Sequence, residues 1–287
     1  MSSIIKKISP WWLKILSKII LSRFPLSYNF WRKINIFRHG QMDNSNYAFH
    51  VFSRHVQQDK TSIKGKTILE IGPGDSLSSG IIAFHYGAKS ILINPIKLIF
   101  DPIKNFNNLK IFLQKKGFKI YESPKDLTDL CNKHNIQYFF EGLKSLKSIP
   151  SDSVDIIFSN AVLEHIFKEE FEETVKELKR VLKRDGFMSH QIDFKDHLEG
   201  SLNNLRFSES LWESYLFRNS GFYTNRIRFN KMINIFKNQG LEIKILDLKK
   251  WDSLPLSIKK ISKQFIEEDQ EGLLVSSAKI KLLSNEK

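Results

Sequence analysis

From residue 67 onwards the chain is punctuated by apolar runs too short for helices. They are TILEI (67–71), SILIN (90–94), QYFF (137–140) and DIIFS (155–159), then GFMSHQI (186–192), LEIKIL (241–246) and LLVSSAKIKLL (273–283). The first four lack alternation between apolar and polar residues, as strands buried on both faces of a parallel sheet do. Helical patterns separate several of them. The clearest, over 167–182, puts Phe167, Phe171, Val175, Leu178 and Leu182 on one stripe of a helix that would start at 163, and Asp185-Gly186 reads as its end and the start of the next strand.

Strand and helix in alternation predict an α/β fold: a doubly wound, mostly parallel seven-stranded sheet of Rossmann-like type. No helix is expected between the last two strands, so an antiparallel pair should form one edge. Residues 1–60 read as a helical N-terminal cap, with Asp43 as N-cap of a helix through Val56. Residues 61–192 form the core, 193–240 an insertion between strands five and six, and 241–287 the strands that complete the sheet.

The 287 residues can bury a full core without covalent staples. A single cysteine, Cys131, excludes an internal disulfide and any multi-cysteine metal site, and it suits a reducing, cytoplasmic setting. The net charge of +14 allows an anionic partner, yet no nucleic-acid-binding module or basic repeat is visible. Near the N-terminus, Ile5, Ile8, Trp12, Ile15, Leu16 and Ile19 can share a helical face opposite Lys7, Lys14 and Lys18. That face either packs on the domain or makes weak peripheral membrane contact through residues 4–21.

The loop after the first run, Glu70-Ile71-Gly72-Pro73-Gly74-Asp75-Ser76, admits three chemistries. A dinucleotide loop would place a third glycine at Leu77 and would not set Glu70 beside a diphosphate. A serine esterase using Ser76 would need a base and an orienting acid, and no such blocks follow. A loop for S-adenosylmethionine fits better. That ligand has no phosphates and carries an ammonium and a sulfonium, which Glu70 and Asp75 complement in sign.

Residues 150–186, PSDSVDIIFSNAVLEHIFKEEFEETVKELKRVLKRDG, resemble the fourth-strand region and following helix of class I S-adenosylmethionine-dependent methyltransferases. With ILEIGPGDS the resemblance covers about 61–192. The stretches at 37–55, 189–214 and 220–229 are similar to a narrower bacterial subgroup of that family.

The resemblance implies a methyltransferase with S-adenosyl-L-methionine as cofactor. Gly72, Gly74, Asp75 and Ser76 would surround the methionine end, Asn94 would stand at the ribose and Asn160 beside the sulfonium. The family usually has Asp or Glu where Asn94 stands; an amide can still accept one hydrogen bond and donate another. Glu141 is placed to reach the adenine amino group. His165 and His190 are the candidate bases. Asp193 and His197, with His190, could suggest a metal, but their loop setting favours acid/base or hydrogen-bonding roles, and no metal is expected.

Arg206, Trp212, Tyr223, Asn225, Arg226 and Arg228 combine stacking faces with fork-shaped donors. That composition suits a sugar or glycan, or a small anionic acceptor. A scaffold that binds the cofactor without turning it over is the other reading.

Overall fold

The computed structural model describes residues 10–24, 40–57 and 62–284. The expected positions Ile5, Lys7 and Ile8, and the start of the 37–55 stretch, lie outside the described residues.

Helices α1 (Trp11–Leu21) and α2 (Ser45–Val56) precede the sheet. Then come β1 (Thr67–Ile71), α3 (Ser78–His85), β2 (Lys89–Ile93), α4 (Pro102–Lys115), α5 (Leu127–Lys133), β3 (Ile136–Phe139), α6 (Leu143–Lys147) and β4 (Val154–Asn160). The second half holds α7 (Lys168–Val181), β5 (Leu182–Asp193), α8 (Glu209–Trp212), α9 (Tyr215–Arg218), α10 (Phe229–Asn238), β6 (Leu241–Lys250), α11 (Lys263–Asp269) and β7 (Val275–Ser284). One seven-stranded sheet results, in the order β3-β2-β1-β4-β5-β7-β6. The first five strands are parallel; β7 runs antiparallel to both β5 and β6. The doubly wound sheet with an antiparallel edge is therefore present.

Alternate residues of the central strands point to opposite faces, and both faces are covered. Leu69, Ile71, Ile157, Met188 and Ile192 pack under α7 and α10. Ile68, Leu92, Ile156 and Phe158 pack under α2, α3 and α4. The strand origins are tied by Asp155, whose carboxylate accepts from the Thr67 amide at 2.9 Å and pairs with Lys66 at 3.2 Å and Lys183 at 2.8 Å.

Four local readings are corrected. Asn44, not Asp43, caps α2, accepting from the Tyr47 amide at 3.0 Å. The 163–182 helix is a 3₁₀ turn over Leu163–His165 followed by α7. That helix stops at Val181, and β5 starts at once with a register shift against β4, so Asp185-Gly186 lies inside the strand. Helix α11 does lie between the last two strands, held by Phe265 in a side cluster with Leu202, Leu205, Leu256, Ile261 and Leu273.

The stretch between β5 and β6 divides in two. Helix α10 belongs to the sheet, whereas 194–228 forms a wall around Trp212, Phe217, Phe222 and Tyr223. α1 inserts Ile15 into that wall, flanked by Trp11 and Ile19. Its other side leaves Trp12, Leu13, Leu16 and Ile20 exposed.

Arg228 locks the wall to the sheet edge. Its side chain is 1% exposed and donates to the carbonyls of Phe194, Gly272 and Val275 at 2.6, 3.1 and 2.8 Å. Burial pulls its guanidinium down to about 10, which leaves it charged at neutral pH. Arg228→Leu removes the donor and strands those carbonyls away from water. We expect it to lower unfolding free energy in urea by roughly 3–5 kcal/mol.

Candidate active site

In an open α/β sheet, ligands bind outside the carboxyl ends of the strands, where the strand order reverses. Here that point lies between β1 and β4. A cleft of about 520 Å³ lined by Thr67, Lys89, Asn135 and Ser153 opens at the opposite, amino ends of the strands. The strand-end rule therefore directs attention to the loops after β1, β2, β4 and β5.

The loop after β1 is built for close approach. Gly72 and Gly74 have φ of +72° and +70°, a region that side chains disfavour. A Cβ on Gly72 would stand 2.4 Å from Val162 Cγ2 in the loop after β4. The Gly72 amide donates to Ile93 O at 2.9 Å, so the ends of β1 and β2 move as one. Asn94 is buried and donates through Nδ2 to Gly74 O at 2.8 Å, which holds the loop open.

Glu70 sits beneath this loop, 2% exposed, with Ser79 Oγ donating to its carboxyl. Burial pushes the Glu70 carboxyl up to about 8, so it is protonated in the free protein at neutral pH. A cation drawn to the loop would favour its ionised form. Asp75 is also buried, and its carbonyl accepts from the Phe100 amide at 3.2 Å. Backbone room at glycine and buried carboxyls form a cradle whose chemistry fits S-adenosylmethionine. Ser76 Oγ is buried and shares a 2.7 Å hydrogen bond with Ser78 Oγ, with no histidine among its partners, so the esterase reading loses its nucleophile.

The end of β4 is gripped by α2. Arg54 Nη2 donates to Asn160 Oδ1 at 2.6 Å, and Asn160 Nδ2 donates to Tyr47 Oη at 3.1 Å. His55 Nδ1 meets Ser189 Oγ at 2.8 Å. Glu141 is exposed and pairs with Lys144 at 2.5 Å, while its amide donates to Ser145 Oγ.

Beyond Asn160 the chain turns through Glu164 and His165. Asn225 clamps that turn: its Nδ2 donates to Leu163 O at 2.8 Å and Ile166 O at 3.0 Å, and its amide to Glu164 O at 2.7 Å. His165 Nδ1 lies 2.9 Å from the Tyr223 carbonyl. A carbonyl only accepts, so Nδ1 carries the proton and Nε2 the lone pair. The ring of His197 stands 4.6 Å away, edge to face. Its loop is organised by Asp196, whose Oδ1 accepts from the amides of Leu198, Glu199 and Gly200 and Oδ2 from Asn203.

Glu164 completes the group. Its carboxyl is 3% exposed, and burial lifts it to about 8 against the weaker pull of the Glu164 and Asp193 amides. Ligand atoms of Glu164, His165 and His197 fall within 4.8 Å of one another, so the group can exchange protons or hold a cation.

The remaining expected site residues take other places. His190 is wholly buried in β5 with Nδ1 2.8 Å from Ser159 Oγ, and burial draws it down to about 3. It is a neutral interior residue and not an acceptor-facing base. Asp193 turns back on its own chain, accepting from the Lys195 amide at 2.9 Å. Arg226 donates to Phe207 O and Glu209, both at 2.8 Å, with its guanidinium 5.1 Å from the Trp212 ring centre. Tyr223 Oη donates to Glu213 at 2.8 Å, and Arg206 donates to Asn203 at 2.9 Å and lies over Trp11. These donors hold the wall together, and Asn225 and Arg226 also line a small cleft with Glu164 and Asp193.

Residues 121–189 match the methyltransferase domain family. No curated protein matches the chain. Among solved structures it is similar to the YcgJ protein of Bacillus subtilis, at 18% identity and TM-score 0.44, over 83% of this chain and 100% of that one. It is similar to Haemonchus contortus phosphoethanolamine N-methyltransferase 2 in complex with S-adenosyl-L-methionine, at 17% and 0.43, over 84% and 53%. The arsenic(III) S-adenosylmethionine methyltransferase of Chlamydomonas reinhardtii gives 13% and 0.41, over 77% and 63%.

Two outcomes are expected from this geometry. Gly72→Ala should weaken S-adenosylhomocysteine binding at least tenfold in calorimetry while the fold persists by circular dichroism. Stability should also depend on pH in both directions. His55 and His190, each drawn down to about 3 from 6.5, favour the fold above 6.5, and that contribution is lost as pH falls towards 3. Glu70 and Glu164, lifted to about 8 from 4.5, favour it below 4.5, and that contribution is lost as pH rises through 8. The thermal midpoint should therefore fall on both sides, and Glu70→Gln should flatten the alkaline limb.

Proposed function

We propose that this chain, a class I S-adenosylmethionine-dependent methyltransferase, methylates a hydroxyl of a sugar-like or small anionic acceptor at the ends of β4 and β5. The observation that carries this reading is the Glu164–His165–His197 group, set at the strand ends beside the glycine cradle. Bound S-adenosylmethionine supplies a sulfonium methyl with an activated leaving group. What this chain must add is alignment and a place for the hydroxyl proton.

His165 is suited to receive that proton, because the Tyr223 carbonyl orients the ring and fixes its tautomer. An imidazolium formed there would stand beside Glu164 and favour ionisation of that buried carboxyl. Asn225 and Asp196 keep the two loops in place, so little reorganisation accompanies the transfer. The cofactor would be held by Glu70, Gly72, Gly74, Asp75 and Asn94, with Asn160 at the junction to the acceptor. Glu141 would reach the adenine amino group only by leaving Lys144.

The anionic character of the acceptor rests on the net charge of +14 and on Lys18, whose Nζ lies 3.5 Å from His197 O. No helix among the described residues is long and apolar enough to cross a membrane. The exposed Trp12, Leu13, Leu16 and Ile20 on α1 favour peripheral contact with a membrane from the cytoplasm.

The test is transfer of labelled methyl from S-adenosylmethionine to a panel of nucleotide-sugars, glycolipids and surface polysaccharide. His165→Ala should lower kcat about 10²–10⁴-fold with cofactor binding retained. Label passing only to RNA or protein would overturn the acceptor class.

A further inference from the structure

A second cluster of imidazoles lies at the other end of the sheet. His85 ends α3 four residues before β2, and His134 follows α5 two residues before β3. Both therefore sit at the amino ends of the strands, away from the glycine cradle. Glu122, in the stretch after α4, faces them, and the ligand atoms of the three residues lie within 4.8 Å of one another.

The hydrogen bonding of this cluster is incomplete in a specific way. His134 is wholly buried, and its Nδ1 stands 2.9 Å from the Leu130 carbonyl. That carbonyl can only accept, so Nδ1 is protonated and Nε2 carries the lone pair. Nε2 of His134 is buried with no hydrogen-bond partner, and so is Nε2 of His85. The two rings lie 5.8 Å apart at 74°. Two buried nitrogen atoms without partners in one place are costly unless something else bonds them.

The surroundings hold the two rings in place. Phe84 and Phe106 pack edge-on against His134, and Phe118 borders His85, which makes the walls apolar. The nearby ammonium groups are turned elsewhere: Lys110 to Glu122 O at 2.9 Å, and Lys133 to Asp129 at 2.8 Å.

We propose that His85, His134 and Glu122 bind a zinc ion that ties α3 and α5 to the segment following α4. Two imidazole nitrogens and a carboxylate oxygen form a borderline donor set suited to zinc, with a water as fourth ligand. The Leu130 carbonyl plays the orienting part that outer hydrogen bonds play for metal-bound histidines.

The test is zinc stoichiometry on chelator-stripped full-length protein, read by elemental analysis and by competition with a chromogenic chelator. Wild type should take up zinc at this site and gain thermal midpoint with it. His85→Gln and Glu122→Gln, both at half-buried positions, should lose at least tenfold in affinity and most of the thermal gain. His197→Gln should keep both, because it touches only the other candidate cluster. Absence of stoichiometric zinc overturns the proposal and leaves a packed aromatic cluster. Uptake that disappears with His197→Gln and survives His85→Gln overturns it too.

Discussion

The distance between the backbone at Gly72 and the side chain of Val162 governs the upper rim of this sheet. A Cβ at that position would overlap the Val162 side chain, at 2.4 Å from Cγ2 and 3.2 Å from Cβ, so Val162 in the loop after β4 would have to give way. That loop continues directly into Leu163–His165, so a shift at Gly72 would reach Glu164 and His165 within three residues. Asn94 reinforces the same contact from below. A carboxylate in its place could not donate to Gly74 O, whereas the amide does so at 2.8 Å. The departure from the acid of the resembled family exchanges a charge for a hydrogen bond that shapes the loop.

Electrostatics inside the protein differ from those outside. The surface carries the excess of lysine and arginine, but the interior near the rim holds neutral titratable groups: Glu70, Glu164, His55 and His190 all have their charged forms disfavoured by burial. The buried arginines are the exception. They keep their charge because backbone carbonyls surround Arg228, and Phe207 O and Glu209 meet Arg226. At these buried positions an incoming charge is felt strongly.

Much of the sheet was legible because its strands are short, uniformly apolar and separated by glycine or charged turns; all seven were located to within a few residues at their starts. The antiparallel edge was legible for the same reason. Helix α11 was missed because its turn is short and its anchoring residue, Phe265, acts through distant partners at Leu202 and Leu205. Glycine positions could be read from the loop, since a positive φ leaves a mark in the sequence. The arginines of the wall could not be assigned, because composition does not show whether a guanidinium faces a ligand or a carbonyl 19 to 47 residues away. Tyr47, Arg54 and His55 escaped notice as site residues. Their spacing of seven and eight puts them on one helical face, beside the buried stripe of Ala48, Val51, Phe52 and Val56. Glu164 leaves one sign in the sequence, an acid beside His165 in a turn between two apolar stretches.

The insertion of β7 between β5 and β6 has a consequence during synthesis. β5 is complete at Asp193, but its pairing partner begins only at Val275, about eighty residues later. At translation rates of about 5–20 residues per second, that edge stays bare for roughly 4–16 s on the ribosome. During that interval the nascent chain presents an unpaired strand edge bearing Phe187, Met188 and Ile192, open to pairing with another chain.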